Sequence, residues 1–265
     1  MGSIRFSNVS KVFGRNSAGI KAIDDINLEI AEKEFVAIVG PSGCGKTTCL
    51  RIVAGFEQPT SGSVSVSGKQ VQGPGPERAV VFQHFALFPW KTVRQNLDLG
   101  LRNKNLPRSQ RDELIASALR LMNLESHADA FPHQLSGGMQ QRVAIARAYV
   151  LDPEVLLMDE PFGALDAQTR VAMQEELVRL TRVNPRTVLF ITHSVEEAVY
   201  LADRVVIMTR RPGRIKEVLD IKSARNAENW NRFQKIEDVM DQESFIHLRT
   251  HVWRSLREEK PDNTT

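Results

Sequence analysis

Phe35–Val39 is an unbroken apolar run in which Val36, Ile38 and Val39 are β-branched, and it leads directly into Gly40-Pro-Ser-Gly-Cys-Gly-Lys46-Thr47. No other feature restricts the fold as strongly. A continuous run of this kind needs apolar neighbours on both faces, so it reads as a central strand of a mostly parallel sheet. The glycines after it let backbone N–H groups turn inward around a phosphate. A helix expected from Lys46 to Ala54 points its positive end at the same spot, and Lys46 adds a cation for the outer oxygens. Gly40, Pro41, Ser42, Gly43, Cys44, Gly45, Lys46, Thr47 and Thr48 are therefore candidate nucleotide-binding residues, with the Thr47 hydroxyl a ligand for magnesium. A plain glycine-rich turn would require neither the strand before it nor the helix after it.

Further buried strands are expected at residues 79–82, 155–158, 187–191 and 204–208, with helical stretches between them, which gives an α/β core. Short alternating stretches at 4–9 and 26–30 read as antiparallel strands with one wet face. Between 82 and 155 the pattern turns helical, with Ser109 the expected N-cap of a helix carrying Leu114, Ile115, Ala118, Leu119 and Met122 on one face. Gly73, Pro74, Gly75 and Pro76 mark a tight loop before the strand at 79. Beyond Val218, the residues Trp230, Phe233, Ile236 and Met240, and then Phe245, Leu248, Val252 and Leu256, recur at helical spacing. They are either docked on the core or a stripe facing a partner. Residues 260–265 read as a frayed tail.

Composition excludes several classes. The 265 residues include 35 basic and 32 acidic ones, a net charge of +3, too balanced for the basic face of a nucleic-acid binder. The longest apolar runs fall far short of the roughly 20 residues a membrane span needs. The start Met-Gly-Ser-Ile-Arg-Phe lacks an apolar signal region, so the protein is expected in the cytoplasm. The two cysteines, Cys44 and Cys49, support neither a zinc site nor a disulfide framework and are expected reduced. Cys44 stands one turn before a helix and close to Lys46, so its thiol is expected below the usual pKa of about 8.5 and reactive.

Four more places carry candidate chemistry. Asp159 and Glu160 end an apolar run, which puts them at the C-terminal end of a buried strand, where open parallel sheets bind ligands. Gln83 and His193 follow other strands. Ser136-Gly137-Gly138, within Leu135-Ser-Gly-Gly-Met-Gln-Gln-Arg142, opens a helix to about Val150 and is a second anion-binding helix start.

In this order and content the chain resembles the ATP-binding cassette (ABC) ATPases, over nearly its whole length up to about Val218. The resemblance implies a P-loop NTPase (RecA-like) core with an antiparallel β-subdomain and an inserted α-helical subdomain at about 91–150. That would make residues 1–220 the ATPase domain and 221–265 a C-terminal helical extension. It also implies ATP and Mg2+ as cofactors. Asp159 would hold the metal through water, and Glu160 would orient or deprotonate the attacking water. Gln83 would sense magnesium and the γ-phosphate, while His193 would bond the γ-phosphate. Asp166 in Gly163-Ala-Leu-Asp166 resembles a loop that crosses a dimer seam, and from the residues alone it is a helix N-cap. Phe13 stands where the family has an adenine-stacking aromatic, the other reading being a core or strand-edge Phe. Ser136, Gly137 and Gly138 would close on the ATP held by a second copy, so the resemblance implies a homodimer, or a pair with a paralogous subunit.

Gly73-Pro-Gly-Pro-Glu-Arg78, His84-Phe-Ala-Leu-Phe-Pro-Trp90 with Thr92-Val93 and Asn96-Leu97, and Arg211-Pro-Gly-Arg-Ile215 are similar to importers of nitrate, taurine and alkanesulfonate. That likeness implies a permease contacted through the segment from Gln83 to Trp90, a periplasmic solute-binding protein acting indirectly, and a place on the inner face of the cell membrane. Phe85, Leu87, Phe88 and Trp90 either pack on the helical subdomain or dock that permease. A soluble cassette ATPase acting on DNA or ribosomes would be expected to carry long coiled coils or two cassettes, and a P-loop kinase or GTPase would have no use for Ser136-Gly-Gly and His193.

Overall fold

The computed structural model describes residues 2–14, 19–233 and 235–259, so the expected tail at 260–265 lies outside the described residues. In chain order the strands and helices are β1 (Ile4–Phe13), β2 (Ile20–Ile30), β3 (Phe35–Val39), α1 (Lys46–Ala54), β4 (Ser61–Val66), β5 (Lys69–Gln70), β6 (Arg78–Val81), α2 (Val93–Leu101), α3 (Arg108–Leu121), α4 (Gly137–Tyr149), β7 (Val155–Asp159), α5 (Ala167–Val183), β8 (Thr187–Ile191), α6 (Val195–Leu201), β9 (Arg204–Met208), β10 (Ile215–Asp220), α7 (Ile221–Ala227), α8 (Ile236–Met240) and α9 (Glu243–Arg257). They form two compact units. Met1–Gly75 with Arg186–Thr265 makes the first, and Pro76–Pro185 the second.

The first unit carries an antiparallel sheet in the order β2-β1-β4-β5 and a second sheet in which β3 lies between β8 and β9, parallel to both. Every residue of β3 and of β8 is buried, as a strand with neighbours on both faces requires. β1 and β2 run longer than their alternation suggests, because three register shifts between Phe6 and Val12 interrupt the two-residue period. α1 ends at Gly55 in the left-handed conformation (φ 80°), and Phe56 N–H closes the last turn on Arg51 O at 2.9 Å.

The C-terminal helices dock on this unit. Phe245 and Val252 of α9 and Trp230 are buried, with the Trp230 and Phe245 rings 5.7 Å apart. The stretch from Trp230 to Met240 is not one helix. Asn229 takes a left-handed conformation (φ 48°), Trp230–Arg232 makes a 3-10 turn, and only Ile236–Met240 is α-helical, so the apolar spacing there comes from a turn followed by a short helix.

In the second unit β6 and β7 pair in parallel, from Arg78 opposite Val155 to Val81 opposite Met158. β6 stops at Val81, and Phe82, expected in the strand, is 41% exposed. The rest of the unit is helical. α3 begins at Arg108 behind Pro107 (φ −54°), whose ring presets a near-helical φ. Ser109 therefore sits inside the first turn and is not the N-cap.

Candidate nucleotide site

The first unit holds the glycine loop. Gly43 (φ 75°) and Gly45 (φ 98°) take backbone conformations that L side chains rarely adopt. Ser42, Gly43 and Thr47 are exposed, Gly40, Pro41, Gly45 and Thr48 half-buried. Lys46 opens α1 and is buried, its Nζ donating to Gly40 O at 2.8 Å and Pro41 O at 3.1 Å. Those carbonyls hold the ammonium at the loop it would serve.

Cys44 overturns one expectation. Its side chain is fully buried, 3.8 Å from Lys46 Nζ, and burial pushes the thiol above its ordinary range despite the opposing pull of the ammonium. Desolvation of a thiolate outweighs a helix start and one cation when no water reaches the sulfur. Cys49, inside α1, is pushed up to about 12 by burial first and by Cys44 second.

His193 is exposed two residues past β8, held by neighbours on both sides. Thr192 is buried and donates its hydroxyl to Glu197 Oε2 at 2.5 Å. Ser194 caps α6, accepting from Glu197 N–H at 3.2 Å. Nothing in sequence patterning singled out Thr192 or Glu197 as supports. Phe13 ends β1 at 40% exposure with Lys11 Nζ 5.0 Å from its ring centre, so it is a strand-end aromatic with an open face and not a core residue.

The second unit holds Gln83, Ser136, Gly137, Gly138, Asp159, Glu160 and Asp166. Asp159 is the last residue of β7. Glu160 follows with a positive φ of 47°, a conformation uncommon for a residue with a Cβ. Gln83 reaches this corner, since a Cβ placed on Gly163 would lie 3.4 Å from Gln83 Nε2 and 3.4 Å from Glu160 O. Ser136 caps α4, its Oγ accepting from Met139 N–H at 3.3 Å. Asp166 caps α5, accepting from Thr169 N–H at 3.0 Å, and that bond holds its carboxyl below the usual range. The two helix starts meet. A Cβ on Gly138 would fall 2.5 Å from Thr169 Cγ2, and one on Gly137 3.6 Å from Leu165 Cδ2.

The segment from Gln83 to Trp90 has two anchors that patterning did not reveal. Arg147 of α4 donates to Ala86 O at 2.7 Å and Phe85 O at 3.3 Å. Asn96 of α2, wholly buried, accepts from Phe88 N–H at 2.9 Å and donates to Lys91 O and Thr92 O, both at 3.0 Å. Phe85, Leu87 and Phe88 are half-buried, whereas Trp90 is 69% exposed, its ring edge-on to Phe88 at 5.7 Å.

A family model described as ABC transporter matches residues 23–163. An uncharacterized ABC transporter ATP-binding protein of Methanocaldococcus jannaschii is 54% identical to the chain, over 84% of it and 83% of that protein. Nitrate import ATP-binding protein NrtD of Synechococcus elongatus is 45% identical over 95% of the chain and 90% of its own length. Among solved structures, a dimeric ATP-binding cassette in a post-hydrolysis state bound to ADP and Pi matches with a TM-score of 0.70 at 32% identity, covering 82% of this chain and 98% of that one. The chain belongs to the ATP-binding cassette transporter family and is one of its ATPases.

Proposed function

We propose that the chain is the ATP-hydrolysing subunit of an importer, working as a dimer that sandwiches two ATP molecules and drives a membrane permease for a small anion such as nitrate, taurine or alkanesulfonate. One observation carries the two-chain arrangement: the chain has two glycine-marked helix starts suited to anions, α1 behind Gly45 and α4 behind Ser136, while one phosphate loop requires only the first. The dimeric cassette relative supports a second copy as the destination of the other. The nitrate import relative supports a small anion as cargo.

In this reading Gly40 to Thr48 cradle the phosphates, with Lys46 on the outer oxygens, and Phe13 stacks on adenine. Glu160 takes the proton of the attacking water, and His193 and Gln83 orient it. Magnesium is a hard cation usually held by one or two protein oxygens together with substrate phosphates and water. Thr47 and Asp159, with Gln83, supply such oxygens, and when bound the ion neutralises charge on the transferred phosphoryl group. No helix among the described residues is long and apolar enough to cross a membrane. In this reading the subunit lies on the inner membrane face through its permease, as the import relatives suggest.

Mixing variants tests the dimer. Lys46→Ala and Gly137→Asp chains are each expected to be inactive alone and to recover part of the hydrolysis when mixed, because a heterodimer keeps one intact composite site. Mixed chains with verified heterodimers and no activity above that of the separate variants would rule the arrangement out.

The permease contact rests on Trp90, an exposed indole on a segment anchored by Arg147 and Asn96. Exposed aromatic anchors of this kind commonly dominate binding, at about 2 kcal/mol or more. Trp90→Asp is expected to keep nucleotide binding by the isolated subunit and to abolish co-purification with its membrane permease. Undiminished co-purification would place the docking surface elsewhere.

A further inference from the structure

The turn between β9 and β10, Thr209-Arg-Arg-Pro-Gly-Arg214, has no task in ATP chemistry, yet in the first unit it seats the phosphate loop. Gly213 N–H donates to Ala22 O at 2.9 Å and Gly213 O accepts from Asp24 N–H at 2.9 Å. A Cβ on Gly213 would fall 1.8 Å from Cys44 O, so the backbone of the turn lies directly on the loop. Gly40 is packed from the same side, where a Cβ would come within 3.1 Å of Met208 Cβ. Thr209 closes the turn, its N–H donating to Arg214 O at 2.9 Å and its Oγ1 accepting from Arg214 N–H at 3.0 Å. Arg214 pairs with Asp24, beside Ala22.

The end of the C-terminal helix grips the other side of the turn. Arg210 N–H donates to Glu259 Oε2 at 3.1 Å. The Glu259 side chain is only 18% exposed, and its other oxygen lies 3.2 Å from Lys216 Nζ. Lys216 also donates to Ser255 O and Glu258 Oε2, both at 2.9 Å. His251 and Glu217 meet at 2.9 Å, a turn further back along α9.

We propose that Glu259 is a positioning residue for the phosphate loop: by holding Arg210 it keeps Gly213 pressed on Cys44, so docking of the C-terminal helix sets the affinity for ATP. A loop with glycines at 40, 43 and 45 has many alternative conformations, and outside support that selects one of them converts directly into affinity. Glu259 lies outside residues 23–163, so this support comes from beyond the segment that the family model matches. The inference rests on ATP binding by this loop.

Cys44 reports on the seat. Its thiol is buried against Gly40 while its carbonyl lies under Gly213, so a turn that lifts and lets Cys44 shift is expected to open the thiol to a maleimide, whereas Cys49 inside α1 reacts only on wider unfolding. The full-length chain is labelled without nucleotide, and Mg-ATP binding and turnover are measured in parallel. Glu259→Ala removes the acceptor of Arg210 N–H, while Glu259→Gln keeps an amide oxygen for it. For Glu259→Ala, labelling of Cys44 is expected to accelerate about tenfold and the Kd for Mg-ATP to rise about tenfold, the effect of losing one charge-assisted hydrogen bond. Its kcat at saturating ATP stays within about twofold of wild type, because no reacting group has changed. Glu259→Gln, which keeps an acceptor for Arg210 N–H but loses the charge facing Lys216, is expected to fall between wild type and Glu259→Ala in labelling rate and Kd, with the wild-type kcat. Wild-type labelling and affinity in Glu259→Ala would overturn the proposal, and equal acceleration of Cys44 and Cys49 would do so too by indicating general unfolding. A wild-type chain that bound no Mg-ATP would remove the role assigned to the loop together with this support for it.

Discussion

Glu160→Gln should keep binding Mg-ATP and lose hydrolysis by about 10²–10⁴-fold, or about 3–5 kcal/mol of transition-state stabilisation, the usual contribution of a positioned proton acceptor. The amide has the shape of the carboxylate and retains one acceptor oxygen, so the corner around it survives, with Gly163 N–H on Glu160 O at 3.1 Å and Phe162 fully buried behind. It cannot take a proton at neutral pH. A residue at φ 47° directly after a buried strand is held by its surroundings and not by its own preference, and such strain commonly marks groups whose aim matters more than their comfort. Chains stalled before hydrolysis should accumulate as an ATP-bound dimer. Phosphate release at saturating Mg-ATP and equilibrium nucleotide binding separate the two effects, and turnover within threefold of wild type would remove Glu160 as the base.

The parts of this molecule that could be read from residues alone are those where one local rule acts without competition. Phe35–Val39 and Lys46–Ala54 follow from a continuous β-branched run and from the loop chemistry between them, and the structure has those same limits. Asp166 follows from N-cap chemistry, which needs only a side-chain oxygen and the N–H groups of the next turn. The misreadings arise where tertiary context decides. Cys44 has a local setting that favours thiolate, yet packing in the folded chain buries its thiol completely and removes its water. Ser109 is a good cap residue displaced by Pro107 two positions earlier. Arg147 and Thr192 give no local signal, because a side chain that bonds a distant backbone carbonyl, or a carboxylate five residues on, leaves no period in the sequence.

Gly55→Ala is expected to lower stability by about 2–5 kcal/mol, made up of about 1–2 for an L residue in the left-handed region and about 1–3 for overpacking. The overpacking follows from geometry: an added Cβ would stand 2.1 Å from Gly73 O and 2.6 Å from Pro74 N, both backbone atoms with no side-chain freedom to retreat. Gly68 supplies the control, because it has nearly the same φ, 76° against 80°, and nothing within 4 Å of the Cβ position. Gly68→Ala should therefore show only the conformational part. For a chain of this size each kcal/mol moves the midpoint of thermal unfolding by about 2–4 °C, so the two variants should differ by several degrees. The larger loss has a functional side. Gly55 closes α1, whose first turn carries Lys46 and Thr47, and a displaced C-terminal end moves a nine-residue helix as a rigid piece toward or away from the phosphate loop. Saturating Mg-ATP should then restore part of the lost stability by mass action, but with a weaker response than in wild type. If Gly55→Ala and Gly68→Ala lost the same stability, the backbone conformation alone would set the cost, and the packing of Gly55 on Gly73 would have no energetic weight.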